Sequence, residues 1–298
     1  MGLHSGQQVR FTVYPAEADC GITFRRMDLR ADGIADQDIC VQAQYGNISS
    51  TQLGSTLTNA AGVSVATVEH LMSAFSGCGI DNARVDLDGP ELPVMDGSAA
   101  PFVMLLECAG VVRLPARRRY IRILETVSVM EDGKRVSLSP HDGCVLNFEI
   151  DFPAKIIGRQ SYSFDAGRNN FKTEIAPSRT FGFLHEVELL KSLGLARGGS
   201  LQNAIVLDGE NILNDAGLRF PDEFVRHKIL DAIGDLFLAG APILGRFDAV
   251  RAGHALNNKL LRALFNNPQA WEYTDTPQNA GRQQLNAAPT KIRRAAGG

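Results

Sequence analysis

Apolar positions along this 298-residue chain follow two periods. Alternation at Val9, Phe11 and Val13, and again at Ala83, Val85 and Leu87, predicts half-buried strands. Between them Val68, Leu71, Met72 and Phe75 recur at i, i+3, i+4 and i+7, which predicts an amphipathic helix with Thr67 as N-cap and Gly77 as stop. A second helix is expected from Ala100 to Cys108, closed by Gly110. The basic, proline-containing run Pro115–Arg119 then breaks the pattern and is the candidate linker, its charge read as solvated surface. Strands resume at Ile121/Ile123, Val127/Val129 and Val136/Leu138, with Asp132-Gly133 as a hairpin turn, and the alternation Leu146, Phe148, Ile150, Phe152 is the cleanest in the chain. Helices are expected around residues 222–239 and 257–266. Each half thus mixes strands and helices, which predicts α+β layers rather than a regular βαβ series. The expected division is 1–114 and 115–273. The final stretch, 274–298, is rich in Gln, Asn, Ala and Pro, lacks periodicity, and is expected to be disordered.

Composition narrows the class. Hydrophobic residues at 44% and charged residues at 21% are ordinary for a globular chain. A formal charge of −3 lacks the basic excess of a nucleic-acid binder. No apolar run approaches the ~18 residues of a membrane span, and the first residues carry no secretory pattern. Five scattered cysteines form neither a CxxC pair nor a disulfide framework. Reduced thiols and a cytoplasmic location are therefore expected; a monomer is also expected.

The segment Phe224–Phe237 carries the chemistry. At ~100° per residue, His227, Lys228, Asp231 and Asp235 share one arc, and Val225, Ile229, Ile233, Leu236 and Phe237 face the other way. A solvated polar face is the plain alternative. However, surface helices favour Glu, Lys, Arg and Gln, while His and Asp are weak helix formers. His227 and Asp231, one turn apart, can point at one ion. With no cysteine cluster, a third ligand must be another His or carboxylate. His141, in a Pro-His-Asp-Gly turn, reads as a surface histidine. His70 follows Glu69 on a short helix, so one could bind metal while the other faces water, or both could be exposed. Sequence spacing does not bring His70 to His227.

At these residues the chain resembles the UDP-3-O-acyl-N-acetylglucosamine deacetylase family. The matching segments are Gly2–Gly6, Thr67–Leu71, Met95–Phe102, Arg179–Phe183, Arg219-Phe220, Asp222–Asp235 and Gly253–Leu260, in order along the chain. The resemblance implies two similar domains, each a β-sheet packed with two α-helices and each with a small insert, with the active site between them. It implies zinc ligands His70, His227 and Asp231, a donor set that also suits Fe²⁺. Glu69 would be the general base and His254 the general acid, oriented by Asp235. Thr180 and Lys228 would bind the developing oxyanion, and Phe181 the sugar. The insert near 183–205, including the leucine-rich helix after Phe183, would pass the acyl chain of an acylated UDP-N-acetylglucosamine in Gram-negative lipid A synthesis. His185, within the insert, is expected to be exposed. Relatives usually carry a short strand before the Gly-Leu-His-Ser-Gly loop, whereas this chain begins at Met1, so an open sheet edge is expected and His4 is left to be placed. Two other readings compete: a catalytically inactive relative that binds a nucleotide-sugar or a protein, and a zinc hydrolase of another N-acetyl sugar or an ester.

Overall fold

The computed structural model describes residues 1–275. The first half contains β1 (Phe11–Pro15), β2 (Ile22–Arg26), β3 (Cys40–Gln42), β4 (Ile48–Ser50), β5 (Thr56–Thr58), β6 (Ser64–Val65), α1 (Glu69–Cys78), β7 (Ala83–Leu87) and α2 (Ala100–Ala109). The second contains β8 (Tyr120–Ile123), β9 (Val127–Glu131), β10 (Lys134–Ser139), β11 (Cys144–Asp151), β12 (Arg159–Asp165), the single turn α3 (Phe171–Glu174), β13 (Phe181–Phe183), α4 (Leu184–Ser192), β14 (Ile205–Asp208), β15 (Asn211–Ile212), α5 (Glu223–Phe237), β16 (Ile243–Val250), α6 (His254–Phe265) and β17 (Trp271–Thr274). The chain is α+β, with several sheets and helices arranged as two similar halves would be.

Alternation does what it predicts. In the first sheet, ordered β1-β7-β2-β3, Ile22 and Phe24 of β2 and Ala83, Val85 and Leu87 of β7 are buried, in one core cluster with Leu71, Met72 and Phe75 of α1 and Phe102, Val103 and Leu106 of α2. The second sheet runs β12-β11-β16-β10-β9, with β8 joining β16 and β17 joining β8. Its central strand β16 pairs in parallel with β11 and antiparallel with β10. Small sheets β4-β5-β6 and β13-β14-β15 accompany the two halves, the latter packed with α4. At the hairpin between β9 and β10, Asp132 and Gly133 both take positive φ (49° and 69°), as a tight two-residue turn requires.

Helix α5 sits at the middle of the molecule. All its residues are buried except Arg226 and Lys228. Its apolar side chains each gain roughly 1.5–3 kcal/mol on burial, but burying His227, Asp231 and Asp235 costs free energy unless they are paired. The polar arc is not a solvated face. It packs toward α1, and the approach is close at Gly234, where a Cβ would stand 2.0 Å from the Glu69 carbonyl oxygen.

Several boundaries differ from expectation. Helix α1 starts at Glu69 with Val68 as its cap and ends at Gly79 (φ 70°). Thr67 is not the cap: it takes φ 58°, and its hydroxyl donates to Glu91, so a sharp reversal replaces the expected capping bond. Helix α6 starts at His254, three residues before the apolar pattern suggests, because its first turn is written in polar residues. Thr274 closes β17 against β8 rather than opening a tail, and residues 276–298 lie outside the described residues. The linker arginines are tied down: Arg118 to Asp81, Arg119 to Asp19 and Arg117 to Asp275. All five cysteines are free. Among the described residues no helix is long and apolar enough to cross a membrane.

Candidate active site

The facing of α1 and α5 brings His70 and His227 together although 156 residues of chain separate them. Their rings lie 5.1 Å apart, centroid to centroid, at 89°. Asp231 Oδ1 stands 3.3 Å from His227 Nε2 and 3.6 Å from His70 Nε2. The three residues are buried, and they offer one ligand atom each within 4.8 Å of one another. Tetrahedral ligation at ~2.0–2.1 Å puts neighbouring ligand atoms roughly 3.3–3.5 Å apart, so the cluster matches a single small dication.

The surroundings prepare two of the three ligands, whereas His70 Nδ1 is buried without a hydrogen-bond partner among the described residues. His227 Nδ1 donates to the Ser178 carbonyl at 3.0 Å, which turns the Nε2 lone pair toward the cluster. Burial, with the neighbouring His70 and Lys228, overrides the attraction of Asp231 and lowers its pKa to about 4. A neutral imidazole is the form that binds metal. Burial opposes the Asp231 carboxylate, but His227, Lys228 and His70 hold its pKa well below the usual range. Its Oδ2 is taken by Lys228 Nζ at 2.9 Å, leaving Oδ1 to face the two histidines.

Two further ionisable groups flank the cluster. Glu69, 3% exposed, starts α1 beside His70. Burial pushes its carboxyl pKa up, against the pull of His254 and His70. His254, at the start of α6, donates through Nδ1 to Asp235 Oδ2 at 2.8 Å and has Nε2 3.8 Å from Asp231 Oδ2. Burial disfavours its cation, yet Asp235, then Asp231 and Glu69, more than compensate and raise its pKa to about 10. One carboxyl is thus driven toward accepting a proton and one imidazole toward keeping one, the split expected of a base and an acid.

Phe181 and Lys228 border the same centre. The Phe181 ring lies 6.3 Å from that of His227 and beneath Lys228 Nζ at 5.8 Å. Thr180, next to Phe181, is anchored by its backbone. Its N–H donates to the Gly97 carbonyl and its own carbonyl accepts from Ile205, both at 2.8 Å. The Thr180 hydroxyl makes no hydrogen bond among the described residues. His141 and His185 are exposed, as expected. His4 is not in the cluster. Its backbone N–H, with that of Ser5, donates to Glu91, the carboxylate that also takes the Thr67 hydroxyl. That loop therefore braces the reversal leading into Glu69.

Three participants escape sequence reasoning. The Ser178 carbonyl is a backbone group with no residue signature. Ser55 sits in an aperiodic Thr-Gln-Leu-Gly-Ser loop. Asn257 donates to Asp235 Oδ2 at 2.9 Å, and its i+3 spacing from His254 was the available signal.

Residues 1–266 match the family profile described as UDP-3-O-acyl N-acetylglycosamine deacetylase (LpxC). Proteins named UDP-3-O-acyl-N-acetylglucosamine deacetylase are similar over most of their length. One from Chromobacterium violaceum is 50% identical over 284 residues, covering 94% of this chain and 91% of the relative. One from Phenylobacterium zucineum is 52% identical over 271 residues, 91% of each. One from Legionella pneumophila is 48% identical over 276 residues, 92% of this chain and 88% of the relative.

Proposed function

Because the chain belongs to the UDP-3-O-acyl-N-acetylglucosamine deacetylase family and is a metal-dependent deacetylase, we propose that it removes the N-acetyl group of UDP-3-O-acyl-N-acetylglucosamine, releasing acetate, in cytoplasmic lipid A biosynthesis. The observation that carries this reading is the His70–His227–Asp231 cluster with Glu69 and His254 beside it. The two halves, 1–114 and 115–273, act as domains with the site between them.

The donor set, two imidazoles and one carboxylate oxygen, fits Zn²⁺, and Fe²⁺ suits it too. His70, His227 and Asp231 would hold the zinc, which when bound would supply Lewis acidity toward the acetyl carbonyl and lower the pKa of water toward ~7. Glu69 takes a proton from the attacking water. Burial raises the affinity of its carboxyl for protons, which suits a group that must accept one. Lys228 and Thr180 donate to the oxygen that becomes negative as the carbonyl carbon turns tetrahedral. Lys228 keeps its proton because burial, which opposes its charge, is outweighed by Asp231 together with Asp235 and Glu69. His254, charged through its bond to Asp235, gives its Nε2 proton to the departing amine, because an expelled amide nitrogen must be protonated. Phe181 provides an apolar face for the sugar ring.

The insert near 183–205 serves the acyl chain. Leu189 (61% exposed) and Leu193 (68% exposed) present apolar surface on and just after α4, and covering them with hydrocarbon gains about 0.8 kcal/mol per CH₂. The test is acetate release from acylated against unacylated UDP-N-acetylglucosamine. A strong preference for the acylated substrate is expected. Equal turnover of both would reassign the enzyme to a simpler N-acetyl sugar.

A further inference from the structure

The two proton-handling groups proposed above come from distant parts of the chain. Glu69 belongs to α1, and Asp235, which holds His254, belongs to α5. The two helices are in contact, with Gly234 against the Glu69 carbonyl oxygen, but helix packing by itself leaves carboxylate side chains free to rotate. A single residue removes that freedom at both ends.

Ser55 lies just ahead of β5 in the first half and is 1% exposed. Its backbone N–H donates to Glu69 Oε2 at 2.9 Å. Its hydroxyl donates to Asp235 Oδ1 at 2.7 Å, across a sequence separation of 180. Its carbonyl accepts from Val68 N–H at 3.3 Å, at the entrance to α1. All three polar groups of the residue are therefore spent on the frame that carries base and acid. On the far side of Asp235, Oδ2 accepts from His254 Nδ1 and Asn257 Nδ2. With Ser55 on Oδ1, the carboxylate is held from three directions and cannot turn without breaking a buried charge-assisted bond.

We infer that Ser55 is a positioning residue for the deacetylation: it ties the Glu69 carboxylate to the Asp235–His254 pair, so that the group that takes a proton and the group that gives one keep a fixed separation across the seam between α1 and α5. This rests on the roles proposed for Glu69, Asp235 and His254. The selection of serine follows from the geometry. Alanine keeps the backbone bond to Glu69 but frees Asp235 Oδ1. A serine elsewhere in the core, such as Ser73, has a buried hydroxyl with no partner, so burial of a hydroxyl here does not by itself secure such a bond.

The role separates from mere structural support by where the loss falls. The Ser55→Ala variant removes only the Oγ bond, and a hydrogen bond to a charged group corresponds to about 10- to 100-fold in rate when it acts in the transition state. The expected result is a kcat lower by that factor, with KM and zinc content per chain within twofold of wild type. Asp235→Ala is the second variant. If Ser55 acts through Asp235, adding Ser55→Ala to it changes kcat by less than about twofold, because the bond is already absent. Three outcomes overturn the inference: a Ser55→Ala kcat within twofold of wild type, a loss that follows zinc content or KM, or full additivity with Asp235→Ala. A wild-type enzyme that released no acetate would overturn the reaction itself and this role with it. In contrast, an active wild type, an impaired Asp235→Ala and an unaffected Ser55→Ala would remove only the role of Ser55.

Discussion

Gly234→Ala sets two physical effects against each other at one atom. Gly234 lies in the interior of α5, where alanine is the better helix former by about 1 kcal/mol, so on propensity alone the variant is stabilised. The added Cβ, however, meets the Glu69 carbonyl oxygen at 2.0 Å, its carbon at 2.8 Å and its Cα at 3.1 Å. These are backbone atoms of the first residue of α1 and cannot swing aside. Ordinary contact begins near 3.4 Å, so the helices must part by roughly an ångström or more. Overpacking of this kind costs about 1–3 kcal/mol, which exceeds the propensity gain. The net expectation is a lower melting temperature, by roughly 2–4 °C per kcal/mol for a chain of this size. Separation of α1 from α5 also pulls Glu69 and His70 away from His227 and Asp231, and a ~1 Å misplacement can cost about 10²-fold in rate. Thermal unfolding and steady-state acetate release would be measured on the same preparation. A variant that melts higher than wild type and turns over within twofold of it would refute the close approach on which the site depends.

Other perturbations test single parts of the account. Glu69→Ala should retain zinc and lose turnover, whereas His227→Ala should lose both. Metal analysis of the purified variants checks this, and equal zinc in all three proteins would refute the division. The rate should rise with pH as Glu69 loses its proton, above the ordinary carboxylate value, and fall as His254 loses its own near pH 10. Burial depresses the His254 pKa and Asp235 is the largest influence raising it, so Asp235→Asn should move the descending limb of kcat/KM to lower pH. An unmoved limb would show that Asp235 does not hold the cation. Gly97→Ala places a Cβ 2.1 Å from the Asn203 carbonyl oxygen at φ 87°, disturbing the carbonyl that anchors Thr180. It should destabilise by about 1–3 kcal/mol and lower kcat, and unchanged denaturation and turnover would contradict it.

The α5 wheel was readable in the sequence because function and helix propensity disagree there. His227, Asp231 and Asp235 occupy positions where a solvent face would carry Glu or Lys. Glu69 and His70 were visible only as a pair with two readings. The choice between exposure and burial is made by the packing of α1 on α5, which no local pattern encodes. Ser55 and the Ser178 carbonyl were illegible for a related reason: their partners are far away in sequence, and a lone serine in a loop has no periodicity. Thr67 was misread because a hydroxyl ahead of a helix has two acceptable uses, and the Glu91 carboxylate that accepts its hydrogen bond decided between them. In the two large sheets β1, β7, β8, β9, β10 and β11 were legible from alternation, whereas β2, β3, β12, β16 and β17 were not read; the short strands of the small sheets, two to four residues long, fall below what alternation can mark.

The most direct test of the central claim is metal-dependent acetate release. Wild-type enzyme assayed on UDP-3-O-acyl-N-acetylglucosamine should lose activity on removal of metal by a chelator and regain it on adding about one equivalent of Zn²⁺ per chain, with no recovery for His70→Ala. Full acetate release from metal-free protein, or zinc binding and activity undiminished in His70→Ala, would contradict it.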